Sequence, residues 1–269
     1  MMNDPDQAAE RPRRILVTGA SSGLGAALAR HYAAPGRALL LWARDPARLA
    51  AVAADCRRAG ATAQVRSLDL ADSAAALAAL AADEAAGAID LAILAAGLGD
   101  VRGRGRTVEE AAAVVRLGLV NFVTPGAMAA DLAERMAARR RGDIVLIGSA
   151  AAAHSLPFAA AYAGSKAGLA RLADALRVAV APHGVRVLLV EPGPFDTPGG
   201  RLVPAPAWLT RRPDWVAARI ARASERGQAR LTLPWFFALL RWVDRLLPRG
   251  ARDRLLRALA PDPTDVPPR

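Results

Sequence analysis

Six short strand-like runs, most of them apolar and the first five each followed by a longer alanine-rich stretch, leave this chain few folds to choose from. The runs are Arg14–Thr18, Ala38–Ala43, Thr62–Ser67, Ile89–Ala95, Asp143–Ser149 and Val185–Glu191, with a weaker seventh at Ala229–Leu233. Between them a helical pattern covers Gly23–Ala34, Pro46–Gly60, Ser73–Gly87, Val108–Arg139 and Phe158–Ala181. Most of the strand candidates are continuously apolar, as strands are when helices cover both faces of a parallel sheet. The alternation predicts an α/β fold: one doubly wound parallel sheet of about seven strands, forming a single domain over 13–233. Residues 1–12 and 261–269 are expected to be a disordered and a flexible tail, and 234–260 a helical extension.

Several function classes are excluded early. A single cysteine, Cys56, and three scattered histidines (His31, His154, His183) give neither a disulfide framework nor a metal-ligand pattern, so no metal is expected. Of 36 basic residues 35 are arginine, and alanine contributes 66 residues, the usage a GC-rich coding sequence produces. The net charge of +11 therefore does not point to nucleic acid. Its distribution is more telling: 1–200 holds 22 basic and 19 acidic groups, net +3, and 201–269 holds 14 and 6, net +8. The first 13 residues carry Asp4, Asp6, Glu10 and two prolines and no apolar core of a signal peptide. No uninterrupted apolar run reaches the roughly 18 residues of a membrane span, and a cytoplasmic location is expected.

The first strand runs directly into Thr18-Gly19-Ala20-Ser21-Ser22-Gly23-Leu24-Gly25 and then into a helical pattern. A ligand pyrophosphate needs a tight turn, backbone lacking Cβ where it approaches, and free N–H groups at a helix start. Gly19, Gly23 and Gly25 meet the first two needs and the helix start meets the third; the spacing is G-x-x-x-G-x-G. This segment resembles the cofactor loop of the short-chain dehydrogenases/reductases, and later motifs follow in that family's order over roughly 13–233. The resemblance implies a Rossmann-type domain with Gly19, Ser21, Ser22, Gly23, Leu24 and Gly25 against the cofactor.

The second strand ends Leu41-Trp42-Ala43-Arg44-Asp45. An acidic side chain at the end of this strand suits the ribose hydroxyl of NAD, whereas an arginine suits the 2′-phosphate of NADP. The resemblance makes Arg44, helped by Ser22, the residue selecting NADP(H) over NAD; the plain alternative is a solvated arginine at a strand end. Asp69 matches the family aspartate that contacts adenine, and can equally cap a helix beginning near Ala71.

Tyr162 and Lys166 stand four apart in a helical pattern, hence on one helix face. A phenol with a pKa near about 10 is a poor acid–base group at neutral pH unless its anion is stabilised, and a neighbouring ammonium is expected to lower that pKa. Lys166 is the only lysine of the chain, in a sequence that elsewhere uses arginine. Ser149 ends the fifth strand, on the side where open α/β sheets bind ligands. Asn121 matches the family asparagine that supports a proton relay, or is a packed polar residue. Together Asn121, Ser149, Tyr162 and Lys166 resemble the family's catalytic tetrad, which implies interconversion of a ketone and a secondary alcohol. A non-catalytic NADPH-binding protein is the rival reading.

Further on, Pro192 and Gly193 resemble the family motif under the nicotinamide, with Thr197 near its carboxamide. One departure is Ala95-Ala96-Gly97 where the family has Asn-Ala-Gly; a modest loss of rigidity is expected. Four of the five tryptophans lie beyond residue 200, and an apolar or lipid-like substrate is expected. The segments 234–247 and 251–259 combine leucines and aromatics with arginines. They read as interfacial helices on an anionic membrane, as a cover for the substrate pocket or a subunit contact, or as a dock for an acidic acyl-carrier protein. The family habit of pairing through long helices implies a homodimer or homotetramer.

Overall fold

A computed structural model describes residues 13–99, 103, 105–194, 211–258 and 260. The two expected tails and Thr197 lie outside the described residues. Seven strands form one sheet in the order β3-β2-β1-β4-β5-β6-β7, every pair parallel. They are β1 Arg14–Thr18, β2 Ala38–Ala43, β3 Thr62–Ser67, β4 Leu91–Leu94, β5 Gly142–Ile147, β6 Val185–Pro192 and β7 Arg230–Leu233. The helices are α1 Gly23–Tyr32, α2 Pro46–Arg58, α3 Ser73–Ala85, α4 Ala111–Gly118, α5 Thr124–Ala138, α6 Ala160–Val180, α7 Pro213–Glu225, α8 Phe237–Leu246 and α9 Arg249–Ala258.

The inner strands are apolar on both faces because each face has its own helical layer, while the edge strand β3, Thr62–Ser67, is polar and mostly exposed. Ile15, Val17, Leu39, Leu41, Ile93, Val145 and Val190 join the core under α1, α2 and α7. Their neighbours Leu16, Leu40, Trp42, Leu94, Leu146 and Leu189 join the core under α3, α5 and α6. Strand order reverses between β1 and β4, and open sheets of this kind bind ligands beyond the carboxyl ends of the strands at that switch.

Beyond shifts of one or two residues at the ends of elements, three features differ from the sequence reading. β4 stops at Leu94 because the next two amides turn away from the ladder: Ala95 N bonds Ile93 O at 3.1 Å and Ala96 N bonds Thr18 Oγ1 at 3.1 Å. The long helix expected over 108–139 starts at Ala111 and contains a π-turn, Leu119–Val123, between α4 and α5. The cap of α3 is Asp72, whose carboxylate accepts from Ala75 N at 2.9 Å, so Asp69 is not that helix's cap. The stretch Ala111–Ala138 is the one described helix with the length and apolar composition to cross a membrane. It carries Arg116, Asp131, Glu134 and Arg135, and its Leu117, Met128, Leu132 and Met136 are buried in the domain.

Candidate active site

The glycine turn after β1 is shaped by contacts that exclude a side chain. Gly19 has φ +69°, and a Cβ there would sit 2.8 Å from Ala96 Cα. A Cβ on Gly25 would overlap the Gly19 carbonyl oxygen. The first turn of α1 therefore lies directly on the preceding loop, and the amides at that helix start are left to face outward. Gly25→Ala should destabilise the fold by about 1–3 kcal/mol and weaken NADPH binding at least about tenfold, because α1 must lift off the turn. Thermal unfolding and a fluorescence titration with NADPH read the two effects.

A groove of about 620 Å³ opens above this turn. Gly19, Ser21, Ser22, Gly23, Leu24, Gly25, Arg44 and Asp69 all line it, together with Ala96, Gly97 and Ile147. Arg48 lines it too and was not singled out from the sequence. Arg44 is exposed at the end of β2. Asp45 is occupied: it accepts from Arg48 N at 3.0 Å as the cap of α2 and pairs with Arg48 Nε at 3.3 Å. Asp69 accepts from Ala71 N at 3.0 Å and from Arg116 Nη2 at 2.8 Å. Burial works against its charge, but the Ala71 amide and the Arg116 and Arg44 guanidiniums outweigh it and hold its carboxyl below the usual range.

Ser149, Tyr162 and Lys166 meet beyond the end of β5. Ser149 is buried, with extended backbone, and its Oγ accepts from Ala151 N at 3.1 Å at the start of the 3-10 turn Ala150–Ala153. The Ser149 hydroxyl lies where it can donate to the Tyr162 phenol oxygen and favour its anion. The Tyr162 ring packs against Phe158 and Ala159, as do Leu156 and Ala260. Burial, the largest cause, pushes the Tyr162 pKa above its ordinary value, and the Ser149 bond offsets part of that. The lowering by Lys166 expected from the spacing is not what the chain's own groups produce, and the expectation is corrected. Lys166, 4% exposed and one turn along α6, donates to the Ile147 carbonyl at 2.9 Å. Burial lowers its pKa to about 8.

Asn121 lies in the π-turn and is fully buried. Its Oδ1 accepts from Leu98 N at 2.7 Å, and its Nδ2 donates to Leu98 O at 2.9 Å and to Ser165 Oγ at 3.2 Å. Its side chain thus braces the chain leaving β4 against α6. That tie, with the Thr18–Ala96 bond, holds the strand end where Ala95 offers no amide. Gly97 lies between this brace and the lysine: a Cβ there would be 3.3 Å from both Asn121 Oδ1 and Lys166 Nζ.

Two positions were not legible from local sequence. Glu109 is buried and accepts from Ala161 N at 2.8 Å, capping the start of α6 from a loop 52 residues away. Phe237, at the start of α8, lies over Gly193, its Cε2 only 2.6 Å from where a Cβ would be. Gly193 N in turn donates to Leu233 O at 2.6 Å, fixing the chain just after Pro192 at the end of β6. Behind them Arg230 bridges Glu191 and Asp174, the latter at 2.7 and 2.8 Å, and ties β7 to β6 and α6.

A parallel sheet with a glycine turn at its switch point puts the protein among the Rossmann-type nucleotide-binding enzymes. Residues 13–205 match the family model for short chain dehydrogenase. The chain belongs to that family and is an oxidoreductase. An uncharacterized oxidoreductase of Mycobacterium tuberculosis is 35% identical over 250 residues, which cover 90% of this chain and 97% of that protein. Among solved structures, a short-chain dehydrogenase from Sphingobium yanoikuyae in complex with NADPH matches with TM-score 0.77 and 27% identity, covering 91% of this chain and 95% of the other. A bulky-bulky ketone specific alcohol dehydrogenase from Comamonas testosteroni matches with TM-score 0.74 and 27% identity, covering 91% and 94%.

Proposed function

We propose that the protein is a cytoplasmic NADP(H)-dependent oxidoreductase that interconverts a ketone and a secondary alcohol on an apolar substrate. The observation that carries the reading is the Ser149 hydroxyl placed close enough to the Tyr162 phenol to favour its anion, with a lysine one turn along whose ammonium reaches Ile147, a residue of the groove wall. The cradle at Gly19 and Gly25, which a Cβ would fill, fits a pyrophosphate, and Arg44 with Ser22 fits a 2′-phosphate. When bound, the reduced nicotinamide supplies hydride to the carbonyl carbon. Ser149 donates a hydrogen bond to the substrate oxygen as negative charge grows there. Tyr162 gives that oxygen its proton, and a phenol held above its ordinary pKa carries this proton at neutral pH. Lys166, cationic below about 8, holds the ribose and, with the cofactor in place, would support the phenolate that burial alone disfavours. Asn121 keeps α6 and the end of β4 in register, in support of proton resupply.

NADP(H) is favoured over NAD because Asp45, the acid near the end of β2, is already engaged by Arg48 while Arg44 is exposed to the groove. Arg44→Ala should raise the KM for NADPH about 10- to 100-fold, the loss of one charge-assisted phosphate contact, and leave the KM for NADH nearly unchanged. An equal rise for both would remove Arg44 from this role. The apolar substrate is supported by Leu156 and Phe158 packing around Tyr162 and by Phe237 over Gly193. The Comamonas relative's bulky ketones are the chemical starting point for a panel. NADPH oxidation with aryl and long-chain ketones tests the whole reading; none across such a panel would leave a dinucleotide-binding protein without turnover. Exposed Val114, Val115 and Val178 on α4 and α6 support pairing with a second copy as a homodimer or homotetramer.

A further inference from the structure

The two C-terminal helices touch the body from one side only. Phe237 lies over Gly193, Phe236 stacks on Phe237 with ring centroids 5.0 Å apart, and Ala260 packs against Phe158 and Ala159. Several other apolar side chains of the segment are bare among the described residues. Trp235 is 71% exposed, Leu239 55% and Leu246 80%, with Leu240 and Leu255 exposed as well. Next to them α9 carries four arginines, Arg249, Arg252, Arg254 and Arg257, against the single Asp253. Arg249, Arg254 and Arg257 are exposed, and Arg252 pairs with Asp253 at 3.6 Å.

We propose that this surface docks on an anionic lipid bilayer, with Trp235, Leu239 and Leu246 entering the boundary between headgroups and acyl chains and the α9 arginines among the lipid phosphates. A run of exposed leucines with a tryptophan is unusual on a monomer's surface and suits a phase that is apolar inside and wet at its edge. Each basic group held near an anionic surface contributes about fivefold to binding. The charge decides between occupants. Two copies meeting through this face would bring their net-positive α9 helices together, which repel. An acidic carrier protein would pair with the arginines but leave Trp235, Leu239 and Leu246 against a polar surface. Because the inner side of α8 walls the region over Gly193, the docked surface places the site within reach of substrates dissolved in the bilayer.

Pelleting of the full chain with vesicles tests the idea independently of turnover. Vesicles of equimolar phosphatidylcholine and phosphatidylglycerol should carry the protein down, at least about tenfold better than phosphatidylcholine alone, with salt weakening the preference. Trp235→Ser with Leu239→Ser should weaken pelleting about tenfold or more at an unchanged unfolding midpoint. Arg249→Glu with Arg254→Glu should abolish the preference for the anionic vesicles. No pelleting with anionic vesicles, or pelleting untouched by both variants, overturns the proposal. So does a change of oligomer mass in the serine variant, or saturable binding of an acyl-carrier protein without any to vesicles.

Discussion

Tyr162→Phe is expected to lower ketone reduction by about 10³-fold while NADPH affinity stays within about threefold. Phenylalanine keeps the ring that packs against Phe158 and Ala159, so the wall of the site survives. Only the hydroxyl is lost, and with it the proton donor. The Ser149 hydroxyl is not orphaned, since its Oγ still accepts from Ala151 N. Stability should therefore fall by no more than about 1 kcal/mol, the worth of one ordinary hydrogen bond. Steady-state NADPH oxidation and a binding titration on the same preparation separate the two quantities. Turnover within about tenfold of the parent would take Tyr162 out of the chemistry and with it the reaction proposed above.

Lys166→Met should do something the tyrosine variant does not: stabilise the protein while abolishing its activity. The ammonium is buried and its pKa is lowered from 10.5 to about 8 by burial alone. Below pH 8 the folded chain holds a cation at a cost of about 3 kcal/mol, from 2.5 pKa units at about 1.36 kcal/mol each. Between pH 8 and 10.5 the folded state binds fewer protons than the unfolded one, so the parent's stability rises with pH across that window. Methionine removes the charge at similar length but leaves the Ile147 carbonyl without its donor, which returns about 1 kcal/mol. The net gain near pH 7, about 2 kcal/mol, corresponds to roughly 5 °C in Tm measured without added nucleotide. It should shrink toward zero as pH approaches 10.5. Turnover should fall by about 10³-fold with the KM for NADPH also raised, because the lysine is assigned both the ribose and the phenolate. A loss of stability at pH 7 would contradict the burial argument.

The sheet was legible because its inner strands are buried on both faces and leave continuous apolar runs, a signal that does not depend on partners far away. The glycine turn was equally legible, since its constraint is local: Gly19 and Gly25 meet within one turn of chain. What failed was whatever depends on long-range partners. Glu109 reads as one acid of a polar loop, and only the fold brings it to Ala161. Phe237 reads as an aromatic in an amphipathic helix, and only the return of β7 beside β6 sets it over Gly193. The π-turn has no period of its own in an alanine- and valine-rich helix, so Asn121 could be named but its three bonds could not be read. The tyrosine was misjudged for a related reason. Spacing shows that Lys166 is one turn away; it does not show that burial, with no offset from the lysine, raises the phenol's pKa.

The overlap that forbids a side chain on Gly25 also stiffens the mouth of the groove. Helix and turn interlock through backbone atoms alone, so few conformations remain to be frozen when a nucleotide arrives. Such a mould should capture its ligand on first encounter, in a single fast phase, rather than through a slow second step of moulding to it.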